Sequence, residues 1–300
     1  MNWSKACNLA FAALLVLAGE AAHGQAAREV LAQGGSGPRP ALAETHAAAP
    51  GLTIYRPARW NGERLPIVLW GNGGCRDAGL SARLFLREIA SHGYLIVANG
   101  SARDYPQLPP GTPPPPPPSV DETKASALLD ALDWLGQDRQ LRRRVDLGRV
   151  AVMGHSCGGL QAVAIGSDPR IDTVVLFNSG VYNRPGSGLS RVSVTKDDLR
   201  RIHVPMAYFL GGESDIAFVN GSDDVARIDH VPVFLGSLPV GHGGTFAVAN
   251  GGDWARAGTA WLDWQLKGDR GAARWFAGND CRLCTTYGWT VTRKNMVEPK

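Results

Sequence analysis

Short apolar runs alternate with amphipathic stretches along most of the chain, from Leu65 to Lys267. The apolar runs predict buried strands at Ile67–Trp70, Tyr94–Ala98, Val150–Met153, Thr173–Phe177, Met206–Leu210 and Val231–Leu235. The amphipathic stretches predict helices near Ser81–Ser91, Glu122–Leu135, Gly158–Ile165 and Trp254–Lys267. Strands that alternate with helices in this way indicate an α/β protein whose central sheet is mostly parallel, with helices on both faces.

The first residues have a different pattern. Lys5 precedes the apolar run Leu9–Ala18, and the small residues around Ala22 follow it. Ten apolar residues are too few to span a bilayer, so residues 1–24 are interpreted as a secretory signal peptide, with a buried helix or an uncleaved anchor as the alternatives. We therefore expect a secreted or periplasmic protein that has no membrane span once the signal is removed.

The remaining chain is expected to form one domain over residues 51–300, after a flexible lead-in at 25–50 that is rich in Ala, Gly and Pro. Residues 109–118 form a Pro-rich loop, which is typical of stiff polyproline II and cannot enter a sheet. This loop is either a surface spacer or a rigid rim beside a substrate cleft, because it follows the carboxyl end of a strand. Residues 268–300 form a C-terminal tail.

Charge and metal-ligand patterns narrow the classes of function. The formal net charge is +4, and its densest basic cluster, Arg142–Arg144, suits a helix end better than a nucleic-acid surface. The pair Cys281 and Cys284 has no second cluster that would complete a zinc site. We expect no nucleic acid, no metal and no cofactor, and a monomeric protein.

The best candidate for chemistry is the stretch Gly154-His155-Ser156-Cys157-Gly158, which fits the pattern G-x-S-x-G. It follows a predicted strand and opens a predicted helix, which is the context of a nucleophile elbow. In such a turn the backbone of the serine is strained, and its hydroxyl is exposed above the sheet. Ser156 is therefore the predicted nucleophile.

A serine hydroxyl needs a base and an orienting carboxylate, which follow the serine in this order: acid, then histidine. Asp215 comes after the predicted strand Met206–Leu210 and His242 after the predicted strand Val231–Leu235, and they are the predicted acid and base. The rival carboxylates are Glu213, Asp223 and Asp224, of which the last two are expected to cap a helix. The rival histidines are His155, expected to pack beneath the elbow, and His203 and His230, which precede strands.

Two backbone N–H groups are also needed to bind the oxyanion of the tetrahedral intermediate. Cys157 would supply one of them, and Gly73 or Gly74, in the loop after the first predicted strand, would supply the other. Because both loops carry a cysteine, we expect a Cys75–Cys157 disulfide, with a free buried Cys157 as the alternative.

Four mature cysteines allow a second disulfide. Cys281 and Cys284 are expected to form it and to hold the C-terminal tail, with a redox-active thiol pair as the alternative.

The glycine-rich loop, the elbow, Asp215 and His242 occur in an order that resembles the α/β-hydrolase superfamily. The stretch RVAVMGHSCGG is similar to the elbows of bacterial cutinase-like polyester hydrolases and of dienelactone-hydrolase-like enzymes, although the former usually have methionine where Cys157 stands. The stretches GGESDIAF, GHGGTF and WLDWQLKGD resemble secreted bacterial and fungal members. The resemblance implies an α/β-hydrolase fold, and the short connection from Asn178 to Arg201 predicts a minimal cap.

These observations together predict a secreted serine esterase (a carboxylic ester hydrolase) that acts through an acyl-enzyme intermediate. A small-molecule or polymeric, cutin-like or polyester-like, ester is the expected substrate. A peptidase, a thioesterase or an acyltransferase would use the same residues. A different class, a catalytically silent scaffold that binds carbohydrate or cell wall, is the other alternative.

Overall fold

The computed structural model describes residues 32–104, 122–184, 190 and 192–296. The predicted signal peptide and the Pro-rich loop at 109–118 lie outside the described residues, as does the first part of the predicted lead-in.

Nine strands form one sheet. They are β1 (Ala41–His46), β2 (Ala49–Pro57), β3 (Leu65–Gly71), β4 (Leu95–Asn99), β5 (Val145–His155), β6 (Thr173–Phe177), β7 (Met206–Leu210), β8 (Val233–Ser237) and β9 (Thr290–Lys294). Their order across the sheet is β1-β2-β4-β3-β5-β6-β7-β8-β9. The six strands from β4 to β8 in this order are parallel, whereas β2 and β9 pair antiparallel with β4 and β8, and β1 pairs antiparallel with β2.

The helices are α1 (Arg83–Ser91), α2 (Ser126–Gln137), α3 (Cys157–Ile165), α4 (Phe218–Arg227), α5 (Gly252–Lys267), α6 (Arg270–Ala273) and α7 (Arg282–Thr285). Short 3₁₀ turns occur at Gly73–Cys75, Leu141–Arg143, Lys196–Arg201 and Ala249–Gly251. No helix in the described parts of the chain is long and apolar enough to cross a membrane.

Both faces of the sheet are covered because the central strands β3, β6 and β7 are buried along their whole length and are apolar at almost every position. On one face, Val68 and Trp70 of β3 belong to the apolar core that includes residues of α1 and α5; on the other, Ile67 and Leu69 belong to the core that includes residues of α2, α3 and α4. Successive side chains of a strand point to opposite faces, so a continuous apolar run supplies both cores. The predicted α/β class with a mostly parallel sheet is confirmed.

The lead-in predicted over residues 25–50 is wrong for its last ten residues. Ala41 and Ala43 are buried, and β1 pairs with β2 from Ala41 to His46. Alanines that alternate with larger side chains bury one face of an edge strand, but their small size gives a weak hydrophobic pattern. The domain therefore begins at least ten residues earlier than predicted.

Candidate active site

The loops that carry the predicted site residues all leave the carboxyl ends of parallel strands. Ser156 follows β5, Asp215 follows β7, and His242 follows β8. Because these strands are parallel, their carboxyl ends lie at one edge of the sheet, where α/β proteins bind their ligands. The structure brings the three side chains into contact there.

The hydroxyl, the imidazole and the carboxylate form a continuous chain of hydrogen bonds. Oγ of Ser156 lies 3.0 Å from Nε2 of His242, and Nδ1 of His242 lies 2.6 Å from Oδ1 of Asp215. A carboxylate is acceptor-only, so Nδ1 carries the proton that it donates to Asp215. Nε2 is then left with its lone pair directed at the serine hydroxyl, which donates to it. This is the arrangement in which a histidine can remove the proton of a serine.

Ser156 has the strained backbone expected of an elbow, with φ 53° and ψ −118°. Its amide donates to the carbonyl of Phe177 at 3.0 Å, and its carbonyl accepts from the Ser179 hydroxyl at 2.7 Å. These two bonds hold the turn against the end of β6. A non-glycine residue in the left-handed region costs energy, which the surrounding contacts have to offset.

Glycines allow the elbow to approach the loop after β3. A Cβ built on Gly158 would lie 2.0 Å from the carbonyl oxygen of Gly71, and one built on Gly154 would lie 2.1 Å from the carbonyl oxygen of Gly158. Any side chain at these positions would push the two backbones apart. The close approach brings the first turn of α3 beside the loop that contains Gly73 and Gly74.

The two loops are also joined covalently. Cys75 and Cys157 form a disulfide whose Cα atoms are 5.3 Å apart. Cys157 is the first residue of α3, where amide groups point out of the helix, and Gly74 has a left-handed φ of 64° in the adjoining turn. Asn72, which is buried, anchors this turn through its side-chain amide, which donates to the carbonyl of Asn99 at 2.8 Å.

Asp215 is buried and accepts four hydrogen bonds. Its donors are Nδ1 of His242, the amides of Gly211 and Ala217, and the side-chain amide of Asn178. Burial alone would raise the pKa of this carboxyl, but these donors outweigh it and lower the pKa to about 2. Asp215 is therefore ionised at neutral pH.

The rival carboxylates lie elsewhere. Glu213 is exposed, whereas the amides of the nearby Gly211 and Ala217 donate to Asp215. Asp223 and Asp224 do not cap a helix as predicted: they lie in the second half of α4. Asp224 is fully buried and accepts from Nζ of Lys196 at 2.6 Å, and burial raises its pKa to about 6 in spite of this partner. The sequence pattern missed this role because Lys196 lies in a different loop.

His155 does not pack beneath the elbow as predicted. It lies beside His242, with ring centroids 5.3 Å apart, and its Nε2 is 3.0 Å from the backbone oxygen of His242. Burial, together with the neighbouring His242, lowers the pKa of His155 to about 4, so this ring is neutral at neutral pH. A Cβ on Gly73 would lie 2.5 Å from Nδ1 of His155, so the ring also fills the space beside the glycine loop. His230 lies away from the site and contacts the carbonyl of Ile202.

The second cysteine pair is also joined covalently. Cys281 and Cys284 form a disulfide with a Cα–Cα distance of 5.2 Å at the start of the short helix α7. Within the described residues, no group of three or more His, Cys, Asp or Glu side chains is placed to hold a metal ion.

Asn178 is the contact residue that the sequence did not predict. It is the first residue after β6 and is buried, and it lies between Asp215 and the loop of His242. A polar residue directly after an apolar parallel strand was the available signal.

Comparison of the chain with protein-family models and with curated proteins finds no match.

Proposed function

We propose that the protein is a secreted serine esterase of the α/β-hydrolase superfamily, with Ser156, His242 and Asp215 as its catalytic triad. The observation that carries the proposal is the pair of hydrogen bonds from Ser156 to His242, at 3.0 Å, and from His242 to Asp215, at 2.6 Å. The strained serine between a strand and a helix supports the same conclusion, since this is where the superfamily has its nucleophile. The connection between β6 and β7 supports the minimal cap, because its described residues contain only one 3₁₀ turn.

The proposed reaction has two steps. In the first, Nε2 of His242 takes the proton of Ser156 while Oγ attacks the ester carbonyl, and the imidazolium then gives this proton to the leaving alcohol. In the second, His242 takes a proton from water, whose oxygen attacks the acyl-enzyme, and the acid leaves as Ser156 recovers its proton. The ionised Asp215 stabilises the imidazolium that forms in each step.

The oxyanion of each tetrahedral intermediate needs two donors. We assign one to the amide of Cys157 and the other to the loop of Gly73 and Gly74. The disulfide between Cys75 and Cys157 supports this assignment because it holds these two loops together. Preorganised donors of this kind contribute a large share of the rate enhancement in acyl transfer.

Exposed apolar side chains favour a bulky or polymeric ester. Ile216 and Val219 are 71% and 68% exposed, Val248 is 51% exposed and Val240 is 36% exposed. All four follow or precede Asp215 or His242 by at most six residues. Their closeness to Asp215 and His242 along the chain favours an apolar surface beside the proposed triad, and exposed apolar patches are typical of surfaces that bind an apolar partner. We refer to these four residues as the apolar rim.

A fluorophosphonate probe tests the assignment of the nucleophile. The native protein should be labelled, and Ser156→Ala should not. Turnover of a p-nitrophenyl ester should fall by about 10⁴- to 10⁶-fold in His242→Ala, the range found when one member of such a triad is removed. If the native protein is not labelled, the alternative of a non-catalytic scaffold is favoured.

The substrate class needs a separate measurement. A series of p-nitrophenyl esters of increasing acyl length, measured beside release of soluble acid from a polyester film, separates a small-ester enzyme from one that acts on polymers. Matching peptide and thioester substrates separate the esterase from a peptidase or thioesterase.

A further inference from the structure

Asn178 joins the two loops that carry Asp215 and His242. Its Nδ2 donates to Oδ2 of Asp215 at 2.8 Å and to the carbonyl of Gly241, the residue before His242, at 3.0 Å. Its Oδ1 accepts from Nε1 of Trp254 at 2.8 Å. The side chain is fully buried, and each of its polar atoms has a partner.

These contacts permit only one orientation of the amide. The indole N–H of Trp254 is a donor only, so it has to face the oxygen of Asn178. The NH₂ group then faces Asp215, which as an ionised carboxylate is an acceptor only. A rotation of the amide by 180° would place two donors together at Trp254 and two acceptors together at Asp215, and both contacts would be lost.

The backbone of Asn178 is adapted to this place. Its φ is 47°, and its amide donates to the carbonyl of Phe209 at 2.7 Å. Asparagine is among the few residues that adopt left-handed φ values readily. A glycine would keep this backbone while removing the side chain, which makes it a suitable replacement for an experiment.

We propose that Asn178 is a positioning residue of the proposed triad: its two N–H donors fix the carboxylate of Asp215 and the backbone before His242 at the distance that the relay needs, and Trp254 fixes the orientation of Asn178. This role rests on the proposed function of Ser156, His242 and Asp215. Asn178 touches no reacting atom, so its effect passes through the carboxylate of Asp215 and the loop of His242.

The role predicts a specific loss in Asn178→Gly. The carboxylate of Asp215 loses one of its four donors, and the loop of His242 loses its side-chain tie to β6. We expect kcat to fall by about 10- to 100-fold, by analogy with the loss of hydrogen-bond partners that orient metal ligands, with KM little changed. The ratio of variant to wild-type activity should not depend on pH, because no titrating group is added.

Asn178→Asp gives a different and diagnostic result. The new carboxyl has nearly the same shape and tolerates the same backbone, but it lies beside Asp215. Two carboxyls at such a distance share one proton, and the shared proton restores one donor to Asp215. Activity relative to wild type is therefore retained at low pH and lost as the pH rises and this proton leaves. A merely structural role would not make the ratio depend on pH in this direction.

Two tryptophans of α5 supply a matched control. Trp254→Phe removes the donor to Asn178, whereas Trp261→Phe removes a similar buried bond, from Nε1 to the Thr173 hydroxyl at 2.9 Å, at the opposite end of β6. Both changes cost stability of the same kind. We expect only Trp254→Phe to lower kcat.

The experiment measures kcat and KM for a p-nitrophenyl ester from pH 5 to 9, and also the labelling rate with a fluorophosphonate and the low-field proton resonance of His242 Nδ1–H. The resonance needs no turnover, so it still tests Asn178 if the wild type proves not to be an esterase. We expect it to weaken or shift in Asn178→Gly and to remain in Trp261→Phe. Wild-type kcat and an unchanged resonance in Asn178→Gly, or a pH-independent ratio in Asn178→Asp, would overturn the proposal.

Discussion

The disulfide between Cys75 and Cys157 allows a prediction whose size follows from the chain itself. The two residues are 82 positions apart, so the bond closes a long loop in the unfolded state. The chain-entropy relation for such a loop gives a stabilisation of about 4.5 kcal/mol. The double variant Cys75→Ala/Cys157→Ala should therefore lose about this amount of its free energy of unfolding.

The second disulfide is the control because it differs mainly in loop length. Cys281 and Cys284 are 3 positions apart, and the same relation gives about 2 kcal/mol for the short loop that they close. For an m-value of about 3 kcal/mol/M, the urea midpoint should fall by about 1.5 M in Cys75→Ala/Cys157→Ala and by less than half of that in Cys281→Ala/Cys284→Ala.

Activity separates the two bonds more sharply than stability. In the proposed mechanism, the Cys75–Cys157 bond sets the spacing of the two oxyanion donors, and loss of a whole donor costs about 10²- to 10³-fold in kcat. A donor that is loosened but not removed should cost less, about 10- to 100-fold, with KM nearly unchanged. Cys281→Ala/Cys284→Ala should keep the kcat of the wild type. The reasoning is refuted if both double variants have equal midpoints, or if folded Cys75→Ala/Cys157→Ala protein turns over ester at the wild-type rate.

Three further predictions concern the surroundings of the site. The pKa of His155 is lowered to about 4 in the folded protein. Between pH 6.5 and 4 the unfolded chain therefore binds a proton at His155, whereas the folded protein does not. The free energy of unfolding should fall by about 3 kcal/mol as the pH falls through this range. The pKa of Asp224 is raised to about 6, so the stability that this residue contributes is lost as the pH rises from about 4 to 6. The two effects oppose each other, and the free energy of unfolding of the wild type should change little in this range. Urea unfolding of His155→Gln should instead show a free energy of unfolding that falls as the pH rises. Gly73→Ala would place a Cβ 2.5 Å from Nδ1 of His155, so steady-state kinetics should show kcat reduced by at least about tenfold, and wild-type kcat would contradict the tight packing of this loop. In the apolar rim, Ile216→Ser/Val219→Ser should weaken adsorption to a polyester film, measured as depletion of the protein from solution, and leave hydrolysis of a short soluble ester unchanged. Equal losses on both substrates would show that the apolar rim is not a docking surface.

The central sheet was predictable from the sequence because its strands are buried on both faces. Thr173–Phe177 and Met206–Leu210 are continuous apolar runs, and the structure has strands with the same bounds. The edge strands were missed for the opposite reason. In β9, Thr290–Lys294, no side chain is fully buried, so the sequence there lacks the apolar pattern of a buried strand. This segment is a strand because it pairs with β8.

The predicted positions of Ser156, Asp215 and His242 depended on a topological rule more than on local patterns. Each follows a strand that the sequence makes recognisable, and parallel strands bring their carboxyl ends to one edge. The supporting residues followed no such rule. Asn178 acquires its role only where three loops meet, and its partner Trp254 is 76 residues away in the chain. From the sequence, Trp254 was only the first residue of a predicted amphipathic helix.

The geometry of the candidate site is held chiefly by contacts between loops. The elbow touches the glycine loop through the backbones of Gly158 and Gly71, and the disulfide joins the same two segments. The loop of Asp215 touches the loop of His242 in a similar way, because the amide of Gly241 donates to the carbonyl of Gly211 at 2.8 Å and a Cβ on Gly211 would lie 2.0 Å from the carbonyl oxygen of Gly241. Asn178 then ties this second pair to β6, which also accepts the amide of Ser156 through Phe177. A substitution at any of these contacts should therefore change the distances between the functional groups while the fold is retained. Such a substitution should lower kcat and leave KM and the secondary structure unchanged.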